Sequence, residues 1–163
     1  MRFLFSLLIF QLSSFLGFAQ SSIPKVLKKF NNETVPYIYS KDISNEDSYL
    51  FLDARELDEY NVSHLKNAIL VGYNKFESKK VSDLITKKDT PIIVYCSIGV
   101  RSERIGEQLQ KMGYTNVKNL YGGIFEWKNL SKEVYDINRN TTEKVHAFSK
   151  VWSKYLNSGK PVY

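Results

Sequence analysis

Short apolar runs alternate with polar stretches of helical period through the middle of the chain. Residues 35–39 (VPYIY) predict a first short strand, followed by a turn or short helix through 40–42. Residues 49–53 (YLFLD) predict a second strand, whose near-continuous apolar character requires both faces to be covered. Residues 68–71 (AILV) form a third. Residues 91–95 (PIIVY) form the strongest, with Pro91 tolerated at the strand start because its missing donor is harmless there. Residues 117–120 (VKNL) form a weaker fifth. Between the last two, the spacing of Ile105, Leu109 and Met112 predicts a helix over 102–112 with one face on a sheet. Glu103 suits its first turn and Gly113 its left-handed cap. Strands alternating with helices imply right-handed crossovers, hence a three-layer α/β domain around a mostly parallel sheet of about five strands.

The ends read differently. After Trp127 the chain turns polar, with 138–142 as a loop. A final helix is expected over 142–157, its stripe made by Val145, Phe148, Val151, Trp152 and Tyr155. Residues 131–163 are therefore expected as a helical extension docked on the domain, because roughly 30 residues cannot bury a core alone. The first 19 residues, with Arg2 before an apolar run and Ala19 at its end, have the pattern of a cleaved signal peptide. The alternative is an uncleaved anchor, disfavoured by Gln11, Ser13 and Ser14 within a run short for a spanning helix. Residues 20–34 would lead into the domain at 35–130. Export to a periplasm or the exterior is the expectation, with no stable membrane insertion after cleavage.

Composition narrows the classes. With 163 residues, 43% hydrophobic and 25% charged, the chain suits one globular domain and excludes a disordered tail, a fibrous rod or a polytopic membrane protein. Removal of residues 1–19 takes away one of 23 basic side chains against 17 acidic ones. The lysines come in scattered pairs (28–29, 79–80, 87–88) without an arginine-rich stripe, so no nucleic-acid partner is expected. There is one cysteine, Cys96. It cannot close an intramolecular disulfide or by itself build a zinc site, so no metal is expected and its value is chemical.

Cys96 stands at the carboxyl end of the strongest strand, where open parallel sheets bind ligands. It opens the loop Cys96-Ser97-Ile98-Gly99-Val100-Arg101 and leads into a helix at Ser102. Unpaired amides at such a helix start converge on one centre and favour an anion: a thiolate, a persulfide or an oxyanion. The dipole and Arg101 lower the thiol pKa, and Gly99 supplies backbone freedom.

The chain resembles the single-domain rhodanese family of sulfurtransferases over about residues 35–130. Leu52-Asp53-Ala54-Arg55, Glu59-Tyr60, Ser63-His64-Leu65 and Ala68-Ile69 are similar to the family's first motif. Cys96 through Arg101-Ser102, then Leu109, Gly113-Tyr114, Val117, Gly122-Gly123 and Trp127, are similar to its second. Ser63 departs from the usual glycine before the histidine. The resemblance implies that Cys96 takes a sulfane sulfur from a donor such as thiosulfate as a persulfide. It then passes the sulfur to a thiol, cyanide or a protein acceptor, with no cofactor. Ser97, Ile98, Gly99, Val100, Arg101 and Ser102 would cradle the charge, and Arg101 would orient an anionic donor. Asp53, Arg55, Glu59 and His64 are expected to tie loops together. His146 is expected in a solvent or packing role, and Trp127 and Trp152 in the core or under the extension.

Two other readings compete. A cysteine-dependent phosphatase or arsenate reductase uses a similar cradle with five residues between cysteine and arginine, whereas four intervene here; the tighter loop suits one sulfur atom. A non-catalytic binding module of the same fold commonly lacks the cysteine that this chain keeps. Four N-x-S/T sequons, at Asn32, Asn61, Asn129 and Asn140, matter only in a glycosylating host.

Overall fold

A computed structural model describes residues 22–163. The segment read as a signal peptide or anchor lies outside the described residues. Among those described, no helix is long and apolar enough to cross a membrane.

Five parallel strands form the central sheet: β1 (Tyr37–Ile38), β2 (Leu50–Asp53), β3 (Ile69–Leu70), β4 (Ile92–Tyr95) and β5 (Val117–Leu120), in the order β1-β5-β4-β2-β3. The all-parallel sheet explains why the strands read as apolar runs. On β4, Ile93 and Tyr95 enter one core while Ile92 and Val94 enter the other; on β2, Phe51 and Leu52 divide the same way. Helices cover both faces. Pro91 serves β2 through its carbonyl, which accepts from the Leu50 amide at 2.9 Å, so its missing N–H costs the ladder nothing. The first and third strands are shorter than the apolar runs suggested, because Val35, Pro36, Tyr39, Ala68 and Val71 fall outside the ladder.

Among the described residues, six α-helices accompany the sheet: α1 (Ile23–Phe30), α2 (Leu57–Val62), α3 (Ser78–Leu84), α4 (Val100–Lys111), α5 (Gly123–Asn129) and α6 (Lys150–Ser153). One core joins the sheet to α1, α5 and the C-terminal extension, around Trp127, which meets Phe51 edge-on at 6.0 Å and donates from Nε1 to the Glu133 carbonyl. The other joins it to α3 and α4 through Val81, Ile85, Ile105 and Leu109. The predicted helix over 102–112 is α4, beginning two residues earlier, so Val100 and Arg101 belong to its first turn. The lead-in at 20–34 contains α1, whose Ile23, Val26 and Leu27 are buried.

The expectation of a helix over 142–157 is corrected. That segment holds β7 (Thr141–Thr142), β8 (Lys144–His146) and only a single helical turn, α6. β7 pairs antiparallel with β6 (Val134–Tyr135), and β8 pairs parallel with β9 (Lys160–Val162). The backbone of Phe148 lies in the left-handed region at φ 62°, which no helix accommodates. The apolar spacing imitated a stripe, but Phe148 and Val151 are exposed while Val145 and Ala147 are buried. Partners at 160–162 satisfy a backbone that a local period assigned to helix. Side chains of α5 bond to this segment. Asn129 Nδ2 donates to the Tyr155 carbonyl, its Oδ1 accepts from the amides of Asn157 and Ser158, and Lys128 pairs with Glu143 at 2.7 Å.

Candidate active site

Cys96 follows the last residue of β4 and is 1% exposed. The turn from strand to α4 needs Gly99, whose φ of 107° is left-handed and which caps the helix. That conformation aims the Gly99 amide at Cys96 Sγ, 3.1 Å away, and the Ser102 hydroxyl lies 3.6 Å from the same sulfur. Burial pushes the thiol up, but the Arg101 charge and the Ser102 and Gly99 hydrogen bonds outweigh it, and the thiol pKa is lowered. Thiolate is the nucleophilic form.

Two asparagines that the sequence pattern did not single out, Asn31 and Asn119, hold this loop. The Gly99 carbonyl accepts from Asn31 Nδ2 at 2.9 Å and Asn119 Nδ2 at 2.8 Å. Asn119 Oδ1 in turn accepts from Ser102 at 2.7 Å, so one asparagine on β5 fixes both groups facing the sulfur. Asn119 sits at a fully buried strand position. A polar residue in the apolar alternation of 117–120 was the available signal. The other side of the loop is fastened by α5. The amides of Ile124 and Phe125 donate to the carbonyls of Cys96 and Ser97 at 2.9 and 3.1 Å. At Gly123, φ 55°, a Cβ would lie 2.2 Å from the Cys96 carbonyl oxygen, so only glycine allows this approach.

Glu59 and Arg101 meet. Arg101 donates to both oxygens of Glu59 at 2.7 Å and to Ser97 Oγ at 3.0 Å, and Ser97 Oγ donates to Glu59 at 3.2 Å. Glu59 reaches this position from α2, where it also receives the Glu56 amide in a capping box. Burial raises the Glu59 carboxyl, yet the Arg101 hydrogen bonds and charge carry it below the ordinary range. Arg101, opposed by burial but held by Glu59, is more firmly protonated than usual. The guanidinium expected to orient a donor is thus neutralised by a carboxylate of the protein itself.

Asp53 and Arg55 form a wholly buried pair at 2.6 Å, and Arg55 also donates to the Ser63 carbonyl at 2.6 Å. These contacts join the end of β2 to the turn after α2. His64 stacks on Tyr60 at 4.0 Å and exchanges backbone hydrogen bonds with Tyr135. Its ring Nδ1 lies 3.1 Å from the Tyr60 carbonyl. Burial outweighs that contact and lowers its pKa. The geometry thus brings Glu59 to the Cys96 loop and commits Asp53, Arg55 and His64 to holding the chain around it. His146 accepts the Phe148 amide through Nδ1 at 3.0 Å.

A cavity of about 240 Å³ opens onto Cys96, lined with Ile98 and Val100 from the loop and Phe30, Phe148 and Trp152 from the two ends of the chain. Trp152 therefore lines the same cavity as the cysteine and is also partly packed on the core.

Comparison with known proteins agrees with this geometry. A tRNA uridine(34) hydroxylase of Pelagibacter ubique is 36% identical over 109 residues, covering 64% of this chain and 35% of that protein. One from Erwinia tasmaniensis is 33% identical over 87 residues, 52% of this chain and 25% of that one. The chain thus spans between a quarter and about a third of the length of these curated relatives. Among solved structures, a rhodanese-related protein of Thermoplasma volcanium superposes with a TM-score of 0.54 at 27% identity, covering 61% of this chain and 96% of that one. The thiosulfate sulfurtransferase of Pseudomonas aeruginosa, at 22% identity and TM-score 0.57 over 75% of this chain and 23% of its own, shares the fold. The family model for the rhodanese-like domain matches residues 37–130, which contain the sheet, the Cys96 loop and the Glu59–Arg101 pair, and the chain belongs to that family.

Proposed function

We propose that the protein is a sulfurtransferase that carries a sulfane sulfur as a Cys96 persulfide. The observation that supports this is Cys96 in the lining of a cavity, its Sγ faced by the Gly99 amide and the Ser102 hydroxyl at the start of α4. The Cys96 thiolate attacks the outer sulfur of a donor. The donor S–S bond breaks, and its electron pair leaves on the remainder, which is sulfite when thiosulfate is the donor. The new terminal sulfur carries one negative charge, which the cradle stabilises. An acceptor thiolate or cyanide then attacks that sulfur and Cys96 departs as thiolate. With one cysteine in the chain, the acceptor comes from outside.

The name tRNA uridine(34) hydroxylase belongs to relatives about twice as long, and the Cys96 cradle supports the proposal instead. Incubation of the whole protein with a sulfane donor should add about 32 Da, one sulfur atom, to the Cys96 peptide. It should also form thiocyanate when cyanide is present. Cys96→Ser should do neither. Absence of persulfide and thiocyanate from the unaltered protein would refute the reading, and hydrolysis of an aryl phosphate would move it to a phosphatase.

A further inference from the structure

The three aromatic rings that line the cavity at Cys96 all come from outside the family-matched residues 37–130. Phe30 ends α1, while Phe148 and Trp152 belong to the C-terminal extension. Phe30 and Phe148 expose 46% and 58% of their surface at this mouth, a large aromatic area in contact with water. Phe148 is held in place by its left-handed backbone, by its amide on His146 and by the Arg101 guanidinium 5.6 Å from its ring centre. Arg101 is therefore covered by an aromatic ring on one side and neutralised by Glu59 on the other. A doubly charged donor entering this mouth would lose its water beside a guanidinium that Glu59 already neutralises.

We propose that these flanking aromatics select a donor with an apolar body and a single negative charge, of the aryl thiosulfonate class, over thiosulfate. This rests on the sulfur-transfer reading above. The fit is one of size and charge. An apolar cavity of about 150 Å³ already takes a benzene ring, and the space here is about 240 Å³. The cradle at Gly99 and Ser102 serves one sulfur-borne charge. In the reaction, Cys96 thiolate attacks the terminal sulfur of R–SO2–S⁻. The S–S bond breaks with its electron pair on the sulfinate R–SO2⁻, and charge is conserved as the Cys96 persulfide anion forms.

The test compares benzenethiosulfonate, methanethiosulfonate and thiosulfate as donors to the full chain, with cyanide as acceptor. Covering one face of a phenyl ring predicts a preference in kcat/KM for benzene- over methanethiosulfonate of roughly tenfold or more. Thiosulfate should be the poorest of the three. Phe148→Ala should bring the benzene-to-methane ratio towards unity, and Phe148→Leu should restore most of it. Phe148 is exposed, so neither change threatens the core. The same anions titrated calorimetrically into Cys96→Ser separate binding from transfer. A preference for the aryl anion there, without transfer in the native protein, would sink the sulfurtransferase reading and leave the selectivity standing. Equal efficiency for all three donors, unmoved by Phe148→Ala, would overturn the selectivity while leaving sulfur transfer intact.

Discussion

Glu59→Gln should weaken the fold and strengthen thiosulfate use at once. The native carboxylate, 3% exposed, takes two hydrogen bonds from Arg101, whose side chain is 20% exposed. The amide keeps one acceptor oxygen but leaves the guanidinium charge without a counterion. Breaking a fully buried pair costs roughly 3–5 kcal/mol; because Arg101 reaches water, about 2 kcal/mol is expected here, lowering Tm by roughly 6 °C. The folded Glu59 carboxyl is held below its ordinary value of 4.5, so its contribution is fully present above that pH. It disappears as pH falls through the lower folded value, where the native carboxyl also becomes neutral. Calorimetric scans of both proteins should therefore show a gap at pH 7 that closes in acid. In the kinetic arm, the released Arg101 charge contributes roughly 1 kcal/mol to a half-solvated anion, so KM for thiosulfate should drop about fivefold. A variant as stable as the native protein at neutral pH, a gap that persists unchanged in acid, or an unaltered KM would refute the idea that Glu59 neutralises Arg101.

Three further outcomes are expected. Ser102→Ala removes a hydroxyl from Cys96 and leaves Asn119 Oδ1 without its donor. It should cost about 1–3 kcal/mol in denaturant unfolding and move the thiolate absorbance titration to higher pH, from a native midpoint below the ordinary 9.0. Gly123→Ala places a Cβ against the Cys96 carbonyl at a left-handed backbone position; a loss of at least about 2 kcal/mol in thermal scans and of most thiocyanate formation should follow. Asn129→Ala removes three of the hydrogen bonds that join the extension to the domain, so hydrogen exchange should rise at 154–158 and the preference for benzenethiosulfonate should weaken, while persulfide formation persists.

The sheet was legible because a parallel sheet covered on both faces forces apolar residues onto successive positions, and β4 carries that pressure along its whole length and β2 as far as Leu52. The Cys96 loop was legible for another reason: its chemistry is contiguous, since strand end, glycine and helix start all fall between Tyr95 and Ser102. Groups that act through space were not. Glu59 reaches Arg101 across 42 positions, and Asn31 reaches Gly99 across 68. Periodicity sees neither. In the extension it misled outright, because Val145, Phe148, Val151 and Trp152 have helical spacing, while the pairing of β8 with β9 and the left-handed Phe148 decide the backbone.

The site divides along the same line. Between residues 37 and 130 lie the elements that any persulfide carrier of this geometry needs: the nucleophile, its amide and hydroxyl, and the asparagine and glycine that fix them. These are buried, so they tolerate little change in shape. The ends of the chain supply exposed rings on short elements anchored by a handful of hydrogen bonds. Such elements can change their contacts at small cost to the core. On the proposed reading, sulfur chemistry is held by the sheet, and the choice of sulfur carrier by Phe30, Phe148 and Trp152 at the rim. Because Cys96 is the one cysteine of the sequence, sulfur transfer as proposed requires that donor and acceptor both pass that rim.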